Sequence, residues 1–354
     1  MESEYRKRRE RLKRIIDELH VDALLVTSLV NVRYLCGFTG SNGFLLIAEN
    51  HEILFTDSRY IEQGSEETFN EIDVSLSPGF KGLTGAPGFN KINKMGFESG
   101  NVSHSEFVLL GELLTETTKL SPTNGVVEKI RSIKDKEEID FIKIAASLAD
   151  KAIVNAIDLL GPGISESDIA WGIEKFLKEN GADDIAFDTI VATGTNSSKP
   201  HHRAGSTVVK QGDPLVIDMG ASVKGYNSDI TRTILVEGRD GQFDRVYDTV
   251  LEAQMAAIKA VREGVSGKEL DAVARKIIGD RGYGENFSHG LGHGIGLAVH
   301  EMPMVVPSSE TIIEDGMIFT VEPGVYIPGW GGVRIEDMIL LESGHVSTLT
   351  NSPK

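Results

Sequence analysis

Cysteine is almost absent from this 354-residue chain: Cys36 stands alone, so no disulfide within the chain can brace it. A solitary small residue of this kind is expected in the core rather than as a reactive thiol, and the missing disulfide framework suits a reducing compartment. Basic residues are also short. Thirty-six Lys and Arg against 53 Asp and Glu leave a formal net charge of −17, which speaks against a nucleic-acid-binding face. No apolar run is long enough to cross a bilayer. The basic stretch at 6–14 begins like a leader, but Ile15, Ile16 and Leu19 follow at helical spacing with Asp17 and Glu18 between them. The apolar run at 23–30 comes too late and lacks a cleavage site, so a soluble cytoplasmic protein is expected. Only 11 prolines and a 40% hydrophobic content exclude long disorder, and the length fits about two domains.

Within that frame the chain reads as α/β. An amphipathic helix is expected over 5–19, buried strands over 22–27 and 43–50, and a hairpin partner over 52–57 across Glu49, Asn50 and His51. A helix from about Arg59, a Gly/Pro-rich loop at 78–90, a strand at 94–98 and a helix near 105–114 complete a first domain, 1–125. The second domain, 126–354, opens on a long helix. Asp135 and Glu138 make its capping box, and Ile139, Ile142, Ala146, Ala149, Ile153, Ala156, Ile157 and Leu160 its apolar stripe. Gly161, Pro162 and Gly163 stop it, and a second capped helix runs from Ser165 to Asn180 and Gly181.

That second helix recurs 101 residues later: Gly163, Ile164 and Ser165 become Gly264, Val265 and Ser266, Asp168 becomes Glu269, and Gly181 becomes Gly282. After each copy comes a strand pair with two acids, Asp218 with Asp229 and then Glu322 with Glu336. Two amphipathic helices can coincide by chance, but the repeated acidic hairpin favours duplication, with two pseudo-equivalent halves around a cleft. Alternation puts Asn227, Asp229, Thr231 and Thr233 on one face, where Asp229 can meet Asp218 across the hairpin. Carboxylates facing each other repel unless a cation or a shared proton lies between them. Two such pairs, beside the glycine-flanked histidines of HGLGHGIGLAVHEMP (289–303), point to four carboxylates and one histidine holding two divalent ions. Such an oxygen-rich set favours Mn²⁺, with Fe²⁺, Co²⁺ or Zn²⁺ as alternatives. Paired metals generate a hydroxide near neutral pH and polarise a carbonyl, so the expected chemistry is amide hydrolysis.

Five motifs, VIDMG, YNSDITRT, HGLGHGIGLAVHE, TVEPGVY and GGVRIED, resemble jointly the M24 metallopeptidases, in the Xaa-Pro aminopeptidase and prolidase branch. GFTGSNGFLLI and LFTDSRYIEQ are similar to the small N-terminal domain of that branch. The resemblance implies a creatinase-like α/β domain ahead of a pseudo-twofold "pita-bread" catalytic domain. It implies Asp218, Asp229, His293, Glu322 and Glu336 as metal ligands, Asp229 and Glu336 bridging, with Glu322 also the acid/base. His300 and His201 would bind substrate, and Arg334 and Tyr326 would support the site, although Tyr326 also reads as plain strand packing. His202 reads as an exposed neighbour, His289 as structural, and His20, His51, His104 and His345 as surface residues. The implied activity is removal of a residue ahead of proline from peptides, by an enzyme expected to be a homodimer. Two readings stand beside it: a prolidase restricted to dipeptides, and a metal-free peptide-binding module on the same scaffold.

Overall fold

The computed structural model describes residues 3–69, 71–114, 118–238 and 240–354, which fall into two compact units dividing after Arg131. The first unit is built on a six-stranded sheet. Its centre is the expected hairpin, Gly43–Ala48 against Glu52–Thr56, with Ala23–Val26 antiparallel beside it. Asp73–Leu76 and the pair Lys94–Glu98 and Lys119–Thr123 join in parallel at the two edges. Helix Glu4–Glu18 starts on Ser3, whose side chain accepts from the Arg6 amide.

Helix Leu29–Cys36 was not expected, because its first residues prolong the apolar run of the preceding strand. Ser28 opens it, and Gly37, at φ 85°, ends it in the left-handed conformation that glycine adopts without a side-chain clash. Cys36 is buried at its end, and desolvation pushes the thiol up to about 12, so it behaves as core. The helix Val126–Ser132 is tied to the first unit, since both Glu128 and Arg131 bond the Asn31 side chain.

Two similar halves make up the second unit. Helix Lys136–Asp158 begins in the Asp135/Glu138 capping box, and its stripe from Ile139 to Ala156 is buried. Ile157, in the last turn, departs from the stripe at 40% exposure. Helices Glu166–Glu179 and Gly267–Asp280 start from capping boxes on Ser165 and Ser266. The repeat extends beyond the caps: the Glu166 and Ser167 amides donate to the Thr207 and Gly205 carbonyls, as those of Gly267 and Lys268 do to Thr311 and Ser309. Each half then centres a short sheet on one strand. Pro214–Met219 lies between Ile190–Thr193 and Ile230–Leu235, and Ile318–Val321 lies between Gly292–Gly294 and Asp337–Glu342. Each sheet packs on helices of its own half, and the start of helix Lys136–Asp158 also packs, through Ile139, Ile142 and Ala146, on Ile318, Met338 and Leu340 of the second sheet.

Because that packing carries the scaffold, Ile153→Ala should cost about 2–5 kcal/mol. Val154→Ala, one residue on at 48% exposure, should change stability by about 0.5 kcal/mol or less. Urea unfolding of the two variants side by side checks both values.

Candidate metal centre

The strand pairs deliver the acids, though not in the opposed pairs that alternation suggests. Asp218 lies opposite Thr231 and Ile190, while Asp229 sits one residue ahead of strand Ile230–Leu235. Between them the chain makes a separate hairpin, Ala221–Val223 with Tyr226–Asn227, so Asp229 enters diagonally. Glu336 stands likewise one residue ahead of Asp337–Glu342, and Glu322 one residue past Ile318–Val321. Aligned on the pairs Met219 with Ile230 and Val321 with Asp337, Asp229 matches Glu336. The other acids do not match: Asp218 falls where Thr320 stands, and Glu322 where Gly220 stands.

His293 reaches them from strand Gly292–Gly294. A Cβ on Gly292 would sit 2.0 Å from the Thr320 carbonyl, and one on Gly294 would sit 2.1 Å from that of Met302. These glycines admit neighbouring strands rather than a ligand. All five side chains line one cleft of about 660 Å³. Ligand atoms of Asp229, His293 and Glu336 lie within 4.8 Å of one another. Nε2 of His293 is 3.7 Å from Asp229 Oδ2 and 3.2 Å from Glu322 Oε1.

This cluster is short of positive charge. Four carboxylates line the cleft and, among the described residues lining it, Arg334 is the one buried permanent cation, its Nη2 2.6 Å from Asp218 Oδ2. Burial, then repulsion from Glu336, Asp218 and Glu322, lifts Asp229 well above the usual carboxylate range. Burial and the charges of Glu322 and Asp218 do the same to Glu336. Desolvation also raises Asp218, against the pull of Arg334. Burial works to raise Glu322 too, but the hydrogen bond and charge of His293 outweigh it and hold that carboxyl at about 2.

Asp218 Oδ1, Asp229 Oδ1 and Glu336 Oε1 are buried without a hydrogen-bond partner. Orphaned anionic oxygens in a dry site are costly unless a cation coordinates them. His293 is turned toward the same point, because its Nδ1 donates to the Gly294 carbonyl at 3.0 Å and leaves Nε2 facing the acids. The donor set therefore fits divalent metal.

Around it lie supports, some missed by sequence reasoning. Thr231 Oγ1 donates to Glu336 Oε2 at 2.6 Å and accepts from Arg334 Nε, while Thr320 Oγ1 donates to Glu322 Oε1 at 3.0 Å and accepts from the His293 amide. Arg334 Nη1 donates to the Tyr326 hydroxyl at 2.8 Å, which in turn donates to His289 Nε2 at 2.9 Å. Burial pushes Tyr326 up to about 12 and lowers His289, so both are neutral at pH 7. Tyr326 is thus bonded into the site in addition to packing in its strand. His300, its ring 4.1 Å from that of His293, is lowered by partial burial and by His293's charge. His201 is exposed on the cleft wall. His202 is half-buried rather than exposed, because its Nε2 bonds Glu166 at 2.9 Å. Glu166 was legible only as an acid in a helix's first turn.

Comparison with known proteins places the whole chain. A family model described as "Metallopeptidase family M24" matches residues 140–343, and one described as "Creatinase/Prolidase N-terminal domain" matches residues 8–133. The chain is similar to a Pyrococcus horikoshii protein named Xaa-Pro dipeptidase, 38% identical over 353 residues and 98% of each sequence. It superposes on the solved Xaa-Pro dipeptidase from Bacillus anthracis with TM-score 0.93 and 39% identity, over 99% of this chain and 98% of that one. Against the X-Pro aminopeptidase from Thermotoga maritima the TM-score is 0.87 and the identity 37%, over 98% of each.

The repulsion has a measurable sign. Asp229 and Glu336, raised when folded, stabilise the metal-free protein below the ordinary carboxylate range, and that contribution is lost as pH rises through their folded values. In chelator, Asp229→Asn should therefore melt about 3 °C or more above wild type at pH 8, with the gap narrowing toward pH 5. Melting curves across that range, without and with added Mn²⁺, check it; saturating metal should reverse the order.

Proposed function

The chain belongs to metallopeptidase family M24, and we propose that it is an exopeptidase for Xaa-Pro bonds, with the free dipeptide as its leading substrate. The observation carrying this reading is the three orphaned carboxylate oxygens of Asp218, Asp229 and Glu336 in the cleft that His293 also lines. Relatives named Xaa-Pro dipeptidase, similar over the full length, support the dipeptide. The segments at 37–47 and 54–63 fall in a region whose family model is described for creatinases and prolidases, so they do not separate a dipeptidase from an aminopeptidase. An Xaa-Pro aminopeptidase is the second reading, supported by the Thermotoga maritima likeness.

Asp218, Asp229, His293, Glu322 and Glu336 would hold two divalent ions. Mn²⁺ suits so oxygen-rich a set. When bound, the ions supply Lewis acidity, making a water reactive at neutral pH and polarising the scissile carbonyl. Glu322 keeps Oε2 free, since Oε1 takes the contacts from Thr320 and His293. That oxygen accepts the attacking water's proton and returns it to the departing proline nitrogen. Neutral His300 donates to the developing oxyanion, and His201 meets the proline carbonyl from the cleft wall. An Xaa-Pro amide has no N–H, so a site built on metal and histidine donors loses nothing by its absence. Arg334 fixes Asp218, and Tyr326 and His289 hold Arg334 in place. A homodimer is proposed on the resemblance alone, and a cytoplasmic location on the solitary cysteine; no described helix is long and apolar enough to cross a membrane.

With Mn²⁺ present, purified protein should release free amino acid from Ala-Pro, and chelation should abolish the release. Asp229→Ala and His293→Ala should each lose at least about 10³-fold in kcat/KM, and His300→Ala about 10²–10³-fold in kcat. A metal-free binding module would show no stoichiometric metal and no turnover.

A further inference from the structure

Two arginines line the cleft, and they differ in what holds them. Arg334 is fully engaged by Asp218, Thr231, Tyr326 and the Pro200 carbonyl. Arg203 is exposed, and among the described residues no hydrogen bond or ion pair engages it. Its backbone, by contrast, is well held. Glu166, wholly buried at the start of helix Glu166–Glu179, accepts from the Thr193 amide at 2.9 Å, Asn196 Nδ2 at 3.0 Å, His202 Nε2 at 2.9 Å and the Gly205 amide at 3.2 Å. One carboxylate thus clamps the chain on both sides of Arg203. The guanidinium is free while its attachment point is fixed.

The rest of the cleft shows what that free cation can serve. Its other formally charged side chains are acids: the four of the metal centre, whose charge two divalent ions would offset, plus Glu174 and Asp188, for which no hydrogen bond or ion pair is present among the described residues. A substrate ending in a free carboxylate finds no cationic partner in those side chains, whereas a longer peptide presents a neutral amide at the same place. A guanidinium with its fork unoccupied pairs with a carboxylate through two parallel hydrogen bonds. We propose that Arg203 recognises the free carboxylate of the substrate's proline and so sets preference for dipeptides over longer peptides. The inference rests on the Xaa-Pro reading above and deepens it.

The test compares Ala-Pro with Ala-Pro amide, using Mn²⁺-loaded wild type, Arg203→Ala and Arg203→Lys. Arg203→Ala should raise KM for Ala-Pro about tenfold and leave KM for the amide within about twofold, with kcat little changed on either. Arg203→Lys should recover part of the loss on Ala-Pro alone. Equal changes on both substrates, or none, would overturn the assignment of Arg203, as would a wild type that cleaves the amide but not the free dipeptide. A wild type that cleaves neither overturns the Xaa-Pro reading and this inference with it.

Discussion

Four carboxylates pressed together out of water, with one buried guanidinium among them, govern the catalytic unit. Left alone, that arrangement opposes folding, since each ionised acid loses hydration and meets like charge. The scaffold supports it on both sides of the cleft. Two packed cores hold the strands that present the acids, and two threonines, Thr231 and Thr320, each give one acid a hydrogen bond. What remains unsatisfied in the cluster is three carboxylate oxygens, one each from Asp218, Asp229 and Glu336. Stability conceded there becomes affinity for divalent ions, so metal loading and folding are coupled through the same side chains.

Much of the scaffold could be read from sequence because its signals are local. Asp135 with Glu138, Ser165 with Asp168 and Ser266 with Glu269 announce helix starts within four residues, and all three form the boxes they spell. Helix Leu29–Cys36 escaped because an unbroken apolar run does not distinguish a strand from a helix that follows it directly. Ser28 and Gly37 were its only punctuation.

The site was legible in residue type more than in geometry. Acids on strands drew attention, but period-two alternation assumed one continuous hairpin, whereas the turn at Lys224 and Gly225 belongs to a separate small sheet. Alternation put Thr231 on the face of Asp229, but a threonine inside a strand reads as a β-former, so its bond to Glu336 and the role of Thr320 went unmarked. Glu166 was hidden differently. Its neighbours Ser165 and Asp168 explained the helix start, and its bond to His202 spans 36 residues. Side chains that work through distant partners leave no periodic trace.

The mismatch between the two halves carries a consequence for symmetry. Asp229 and Glu336 occupy matching places, but Asp218 and Glu322 do not, each standing at the position of a Thr or a Gly in the other half. Two identical half-chains would show either acid twice, never one of each. The pseudo-twofold relation therefore holds for the strand frame and one pair of acids. It breaks at the two acids whose bonding partners differ, Arg334 for Asp218 and Thr320 with His293 for Glu322.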